Sequence, residues 1–127
     1  MPESSKPLVF VVDDEKTIAS TVAMILEASG FEAKAFVDPR EAIKSAETRC
    51  PDIMLTDVVM PEINGIDLGI LFKAIYPSCR ILLFSGQAAT EDLMKTAKSD
   101  GHDFDILAKP VHPNELLSAI RAMTVAA

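Results

Sequence analysis

Cysteine is scarce in this chain. Its two residues, Cys50 and Cys79, lie far apart and carry no metal-type spacing, which excludes a disulfide framework and a cysteine-based zinc site. Both thiols are expected to be small buried or half-buried side chains in a reducing compartment. No apolar stretch approaches the roughly 20 residues that a bilayer span needs. The opening Met1-Pro2-Glu3-Ser4-Ser5-Lys6-Pro7 has no signal-peptide core, so the expectation is a cytoplasmic protein with no membrane partner. Basic residues are also few: 12 Lys and Arg stand against 19 Asp and Glu, a formal net charge of -7. Such a surface argues against nucleic acid or an anionic membrane as the direct partner. There is no internal repeat beyond alternating elements, no low-complexity tract and no interdomain linker.

What is present suits one globular domain. The 127 residues are 49% hydrophobic and 24% charged, an ordinary balance for a single core. One domain over 1–127 is expected, with its core at about 8–124. Leu8 to Val12 reads as a buried strand stopping at Asp13-Asp14. An amphipathic helix follows, with Ile18, Val22, Ile25, Leu26 and Ser29 on one stripe and Gly30 as its stop. Phe31 to Phe36 alternates like a strand. Asp38-Pro39-Arg40-Glu41 starts a helix that runs to about Thr48, with Asp38 as cap. Ile53 to Thr56 is too short an apolar run for a helix and suits a strand buried on both faces. Leu68, Leu71, Phe72 and Ile75 mark a third helix, closed at Tyr76-Pro77. Arg80 to Phe84 is the fourth strand. Thr90 caps a fourth helix carrying Leu93, Met94 and Ala97. Asp105 to Ala108 is the fifth strand, and His112-Pro113 opens a last helix with Leu116, Leu117, Ile120 and Met123 inward. Met24, Met54, Met94 and Met123 are expected as core filler. Strand and helix alternate throughout, which implies an α/β fold: a doubly wound parallel sheet with right-handed crossovers and helices on both faces.

In such a sheet, ligands bind beyond the carboxyl ends of the strands. Asp13 and Asp14 follow the first strand, Asp57 the third, Ser85 the fourth and Lys109 the fifth. Alone, Asp57 reads as a loop carboxylate or a helix cap. Together these residues bring carboxylates, a hydroxyl and an amine to one rim. Close carboxylates repel unless a cation joins them, and Mg²⁺ takes one or two carboxylates with waters and phosphate oxygens. A carboxylate can then serve as nucleophile for a phosphoryl group, with metal and lysine neutralising charge. Asp52, Asp103 and Asp105 fall at the opposite end of the strands and read as structural. His102 and His112 read as a turn residue and a helix start.

Four segments carry a resemblance: Val11-Val12-Asp13-Asp14-Glu15, the stretch Leu55 to Gly65 (LTDVVMPEING), Phe84-Ser85-Gly86 and Ala108-Lys109-Pro110. In this order, each closing a strand, they resemble the receiver domain of two-component response regulators, from about Leu8 to Ala122. The resemblance implies a flavodoxin-like five-stranded sheet of order 2-1-3-4-5. It implies that Asp57 accepts a phosphoryl group from a sensor histidine kinase or histidine phosphotransfer protein. Asp14, Asp57 and the main-chain carbonyl of Val59 would ligate Mg²⁺, with Asp13 holding it mostly through water. Lys109 would pair with the phosphoryl group, Ser85 would carry the switch, and the Lys109-Pro110 bond would be cis. The output would reach a downstream protein or an attached output domain, or a phosphorylation-dependent dimer.

The chain departs from the family at Ile106, where an aromatic switch residue is usual; the nearest aromatic is Phe104. A competing reading is a small haloacid-dehalogenase-like aspartyl phosphohydrolase with its nucleophile at Asp13. It fits Asp13-Asp14-Glu15-Lys16-Thr17 poorly, because Glu15 stands where a second Asp belongs. A flavodoxin-like binder fits less well, since the acidic loop after the first strand lacks a phosphate cradle.

Overall fold

A computed structural model describes residues 6–85, 95, 98, 101, 104–109 and 112–125. Five strands form one parallel sheet: β1 (Leu8–Val12), β2 (Glu32–Phe36), β3 (Ile53–Asp57), β4 (Arg80–Ser85) and β5 (Asp105–Ala108). Their order is β2-β1-β3-β4-β5, as the resemblance implied. Four helices are described: α1 (Lys16–Ala28), α2 (Pro39–Thr48), α3 (Gly65–Ile75) and α4 (Pro113–Val125). Of the helix expected from Thr90, Lys95 and Lys98 are described and are helical, while Thr90, Leu93, Met94 and Ala97 lie outside the described residues, as do Gly86, His102, Asp103 and Pro110.

The sheet separates two apolar layers. Phe10, Met54, Leu83 and Phe72 pack on the face of α2 and α3. Val11, Leu55, Phe84, Leu26 and Leu116 pack on the face of α1 and α4. β1 and β3 are buried along their whole length, which explains their unbroken apolar runs: a strand covered on both faces has no solvent side to mark with polar residues. β5 is different. It is an edge strand with Asp105, Ile106 and Ala108 exposed.

Local sequence sets the element ends. Gly30, at φ 96°, ends α1. Its N–H donates to the Glu27 carbonyl while Phe31 N–H reaches back to Leu26 O at 3.1 Å. That double closure needs a left-handed residue, which glycine adopts without a Cβ penalty. Asp38 caps α2 by accepting from Arg40 N at 2.9 Å, as expected from the sequence. Asn64 caps α3 by accepting from Asp67 N at 2.8 Å.

Three expectations are corrected. Leu71 and Ile75 are exposed, and α3 instead buries Gly65, Ile66, Leu68, Gly69 and Phe72. Glycines give no hydrophobic signal, yet they define the inward face, because a Cβ on Gly69 would meet Ile81 Cγ2 at 2.9 Å. Met24 is 71% exposed rather than core. The inward stripe of α1 is Ala19, Val22 and Leu26, and position 24 lies on the far side at helical spacing. Cys50 is exposed, whereas Cys79 is buried, and burial pushes the Cys79 thiol up to about 12.

Candidate functional site

Parallel register brings the strand ends to a common level. Val12 pairs with Thr56, Asp57 with Phe84 and Ser85 with Ala108. The residue after β1 is Asp13, which is wholly buried. Its N–H donates to Phe36 O at 3.0 Å, and its Oδ1 accepts from Glu15 N at 2.8 Å. That second bond turns the chain into α1. Asp57 ends β3 and is 7% exposed. Gly65, at the start of α3, donates to Val58 O at 2.8 Å and closes the intervening loop. A Cβ on Gly65 would run into the Asp57 carbonyl oxygen and come 3.0 Å from Val58 Cα. The glycine of the Leu55–Gly65 segment thus lets α3 begin directly against the backbone of Asp57.

Lys109 follows β5, and its N–H donates to Ser85 O at 3.0 Å. From that anchor its ammonium reaches Asp13 Oδ2 at 3.1 Å and Asp57 Oδ2 at 3.3 Å. Asp14 is exposed beside this pair, and Asp13, Asp14 and Asp57 each present an oxygen within 4.8 Å of the others. The structure therefore brings Asp13, Asp14, Asp57 and Lys109 together. Ser85 is buried at the neighbouring strand end, and Val59 is exposed in the loop two residues beyond Asp57.

Charge in this cluster is unbalanced, since three carboxylates share one ammonium. Burial first, and then the negative charge of Asp13, hold the Asp57 carboxyl above its ordinary value while Lys109 opposes them. For Lys109, burial works against the charge. The hydrogen bond and charge of Asp13, joined by Asp57, outweigh it and raise the ammonium's pKa. A site with surplus carboxylate oxygens facing one another suits a hard divalent cation.

Two contributors escaped the sequence reading. The Lys109 ammonium lies 5.0 Å from the centre of the Phe84 ring. Glu62, in the β3–α3 loop, adopts φ 71°, and Ile63 N donates to Pro61 O at 2.8 Å around it. Its carboxylate meets Arg40 at 3.2 Å, linking that loop to the start of α2. A left-handed glutamate has no sequence signature, because its neighbours impose it. Ile106, where the resemblance leads one to expect an aromatic, is exposed, and Phe104, the nearest aromatic, packs against the α3 layer.

Comparison with known proteins agrees with this geometry. The sequence is 30% identical over 115 residues to the probable transcriptional regulatory protein TcrX of Mycobacterium tuberculosis, covering 91% of this chain and 48% of that one. It is 28% identical over 115 residues to the transcriptional regulatory protein CreB of Escherichia coli, covering 91% and 49%. The chain thus spans about half the length of these relatives. The fold is similar to that of chemotaxis protein CheY4 of Vibrio cholerae, with a TM-score of 0.83, 26% identity and coverage of 94% and 99%. A family model described as the response regulator receiver domain matches residues 9–121. With the sheet order and the carboxylate rim in place, this chain belongs to the response regulator receiver domain family.

Proposed function

We propose that Asp57 accepts a phosphoryl group from a phosphohistidine on a sensor histidine kinase or histidine phosphotransfer protein, and that the product changes which partner the domain binds. The observation that carries this reading is the ammonium of Lys109 held between Asp13 and Asp57, at 3.1 and 3.3 Å, beside a third carboxylate. Asp14, Asp57 and the carbonyl of Val59 would hold Mg²⁺, with Asp13 acting mostly through water. When bound, the ion neutralises carboxylate charge and draws negative charge off the transferred group.

The chain's own residues supply the remainder. An Asp57 oxygen forms the new O–P bond as the donor's P–N bond breaks. The departing imidazole nitrogen keeps the electron pair and takes a proton from solvent. Lys109 turns from the carboxylates toward a phosphoryl oxygen, an exchange of partners its length permits. Ser85, at the next strand end, donates to another phosphoryl oxygen and carries the switch. The domain assists its own phosphotransfer and slow dephosphorylation, and acts as a signalling module rather than through turnover of a substrate. TcrX and CreB are named transcriptional regulatory proteins, which supports a downstream protein or an attached output domain as the reader, or a phosphorylation-dependent dimer. The described elements form one sheet, which supports a single domain with its core at about 8–124, and cytoplasmic residence fits the absence of any membrane-length apolar helix among the described residues.

Mass spectrometry after treatment with acetyl phosphate and Mg²⁺ tests the assignment. One phosphoryl group is expected on Asp57, and none on Asp57→Asn. Label on Asp13 would instead favour a hydrolase of the haloacid-dehalogenase type.

A further inference from the structure

Phe84 has a position that core filling alone does not account for. It is the last apolar residue of β4, buried on the α1 and α4 face with Leu26, Leu116 and Ile120. Leucine would be apolar there too, although it would leave part of the ring's volume unfilled and offer no ring face. The ring centre lies 5.0 Å from the Lys109 ammonium, and Lys109 N–H is bonded to the carbonyl of the next residue, Ser85. An ammonium has three hydrogens to place. Among the described residues its acceptors are Asp13 and Asp57. Lys109 also lines a cavity of about 460 Å³ whose walls mix apolar side chains, Ile18, Ile25, Phe84 and Leu116 among them, with the hydroxyl-bearing Thr17 and Thr21. The ammonium lies over the face of the Phe84 ring, whose negative potential favours a cation.

We propose that Phe84 is a positioning residue for the phosphoryl site, its ring face holding the Lys109 ammonium at the level of the carboxylates. The functional consequence rests on the proposed role of Asp57, while the placement itself does not. With the ring in place, Lys109 waits on the site side of its cavity instead of folding along the apolar wall. It is then already within reach when the phosphoryl group arrives. Preorganisation of this kind speeds acceptance without altering the cation's own ligands.

The test uses the intact chain and replaces only position 84, with Phe84→Leu and with mono-, di- and trifluorinated phenylalanine, which keep the ring's shape while draining its face. Labelling of Asp57 by acetyl phosphate at saturating Mg²⁺ is expected to slow step by step with fluorine content, and by about three- to tenfold in Phe84→Leu. Mg²⁺ affinity is expected to stay at the wild-type value. Independently, NMR of the metal-free protein should show the Lys109 ε-methylene protons shifted upfield by the ring, and the shift should vanish in Phe84→Leu. Labelling rates flat across the fluorinated series, an equal loss of Mg²⁺ affinity, or unshifted ε-methylene protons would each overturn the proposal. If wild-type protein takes no label on Asp57, the proposed function fails, and the ε-methylene shifts still decide where Lys109 sits.

Discussion

Asp52 and Asp57 flank the same strand, and their surroundings give them opposite work. Asp52 lies just before β3. Its Oδ2 accepts from Leu8 N at 2.8 Å, its own N–H donates to Leu8 O at 2.9 Å and its carbonyl accepts from Arg80 N at 3.0 Å. It knits β1, β3 and β4 together with backbone partners. Asp57 ends the strand buried, facing two other carboxylates and sharing a single ammonium. A carboxylate bonded to a main-chain amide and otherwise open to solvent serves as a structural part. One whose partners are like charges and a single lysine is left able to take up a cation or an electrophile.

The largest expected effect comes from breaking the support beneath Asp57. Gly65→Ala places a methyl group against the Asp57 carbonyl oxygen. Neither partner is a flexible side-chain end, so backbone must move. Overpacking of this kind costs about 1–3 kcal/mol, readable as a lower midpoint in urea, and labelling of Asp57 should slow with it. Unchanged stability and labelling would mean that the approach of α3 does not fix the site end of β3.

The other end of the strand sharpens the contrast. Asp52→Ala leaves Leu8 N without its side-chain acceptor. Because Asp52 is exposed, water replaces part of that bond, and the loss should be about 1 kcal/mol. Labelling of Asp57 and Mg²⁺ affinity should not change. A slowed reaction would show that the two ends are coupled along β3 and that the division drawn above is wrong.

The same contrast explains what was legible in the sequence. The strand ends could be read because buried parallel strands are unbroken apolar runs, and a run that stops at Asp13 or just short of Asp57 names its own terminal residue. Caps such as Asp38 were legible for the same local reason. The inward face of α3 was not, since Gly65 and Gly69 matter there by what they lack, and Leu71 and Ile75 offered a stronger apolar signal at similar spacing. Phe84 read as one more core residue. Its second role depends on Lys109 crossing over from another strand, which no pattern within β4 records. Sheet order likewise came from the family resemblance, because alternation alone implies parallel strands without ordering them.

The smallest effect expected is also the most direct probe of the site's imbalance. Burial, and then Asp13, hold the Asp57 carboxyl above its ordinary value, with Lys109 pulling the other way. A carboxyl that ionises less readily folded than unfolded costs stability wherever both forms are ionised. That cost is full above the folded pKa, shrinks as pH falls through it, and is gone below the ordinary carboxylate value near 3.8. Asp57→Asn should therefore melt above wild type at neutral pH in chelator, and the two should converge as the pH approaches that value. The gain is modest because Lys109 cancels part of the repulsion. Added Mg²⁺ should reverse the order, since an ion that binds only the folded state stabilises it in proportion to its affinity, and the variant lacks one of the proposed ligands. Wild type melting higher than Asp57→Asn in chelator at neutral pH would mean that the lysine already balances the rim, and the case for cation binding there would lose its electrostatic ground.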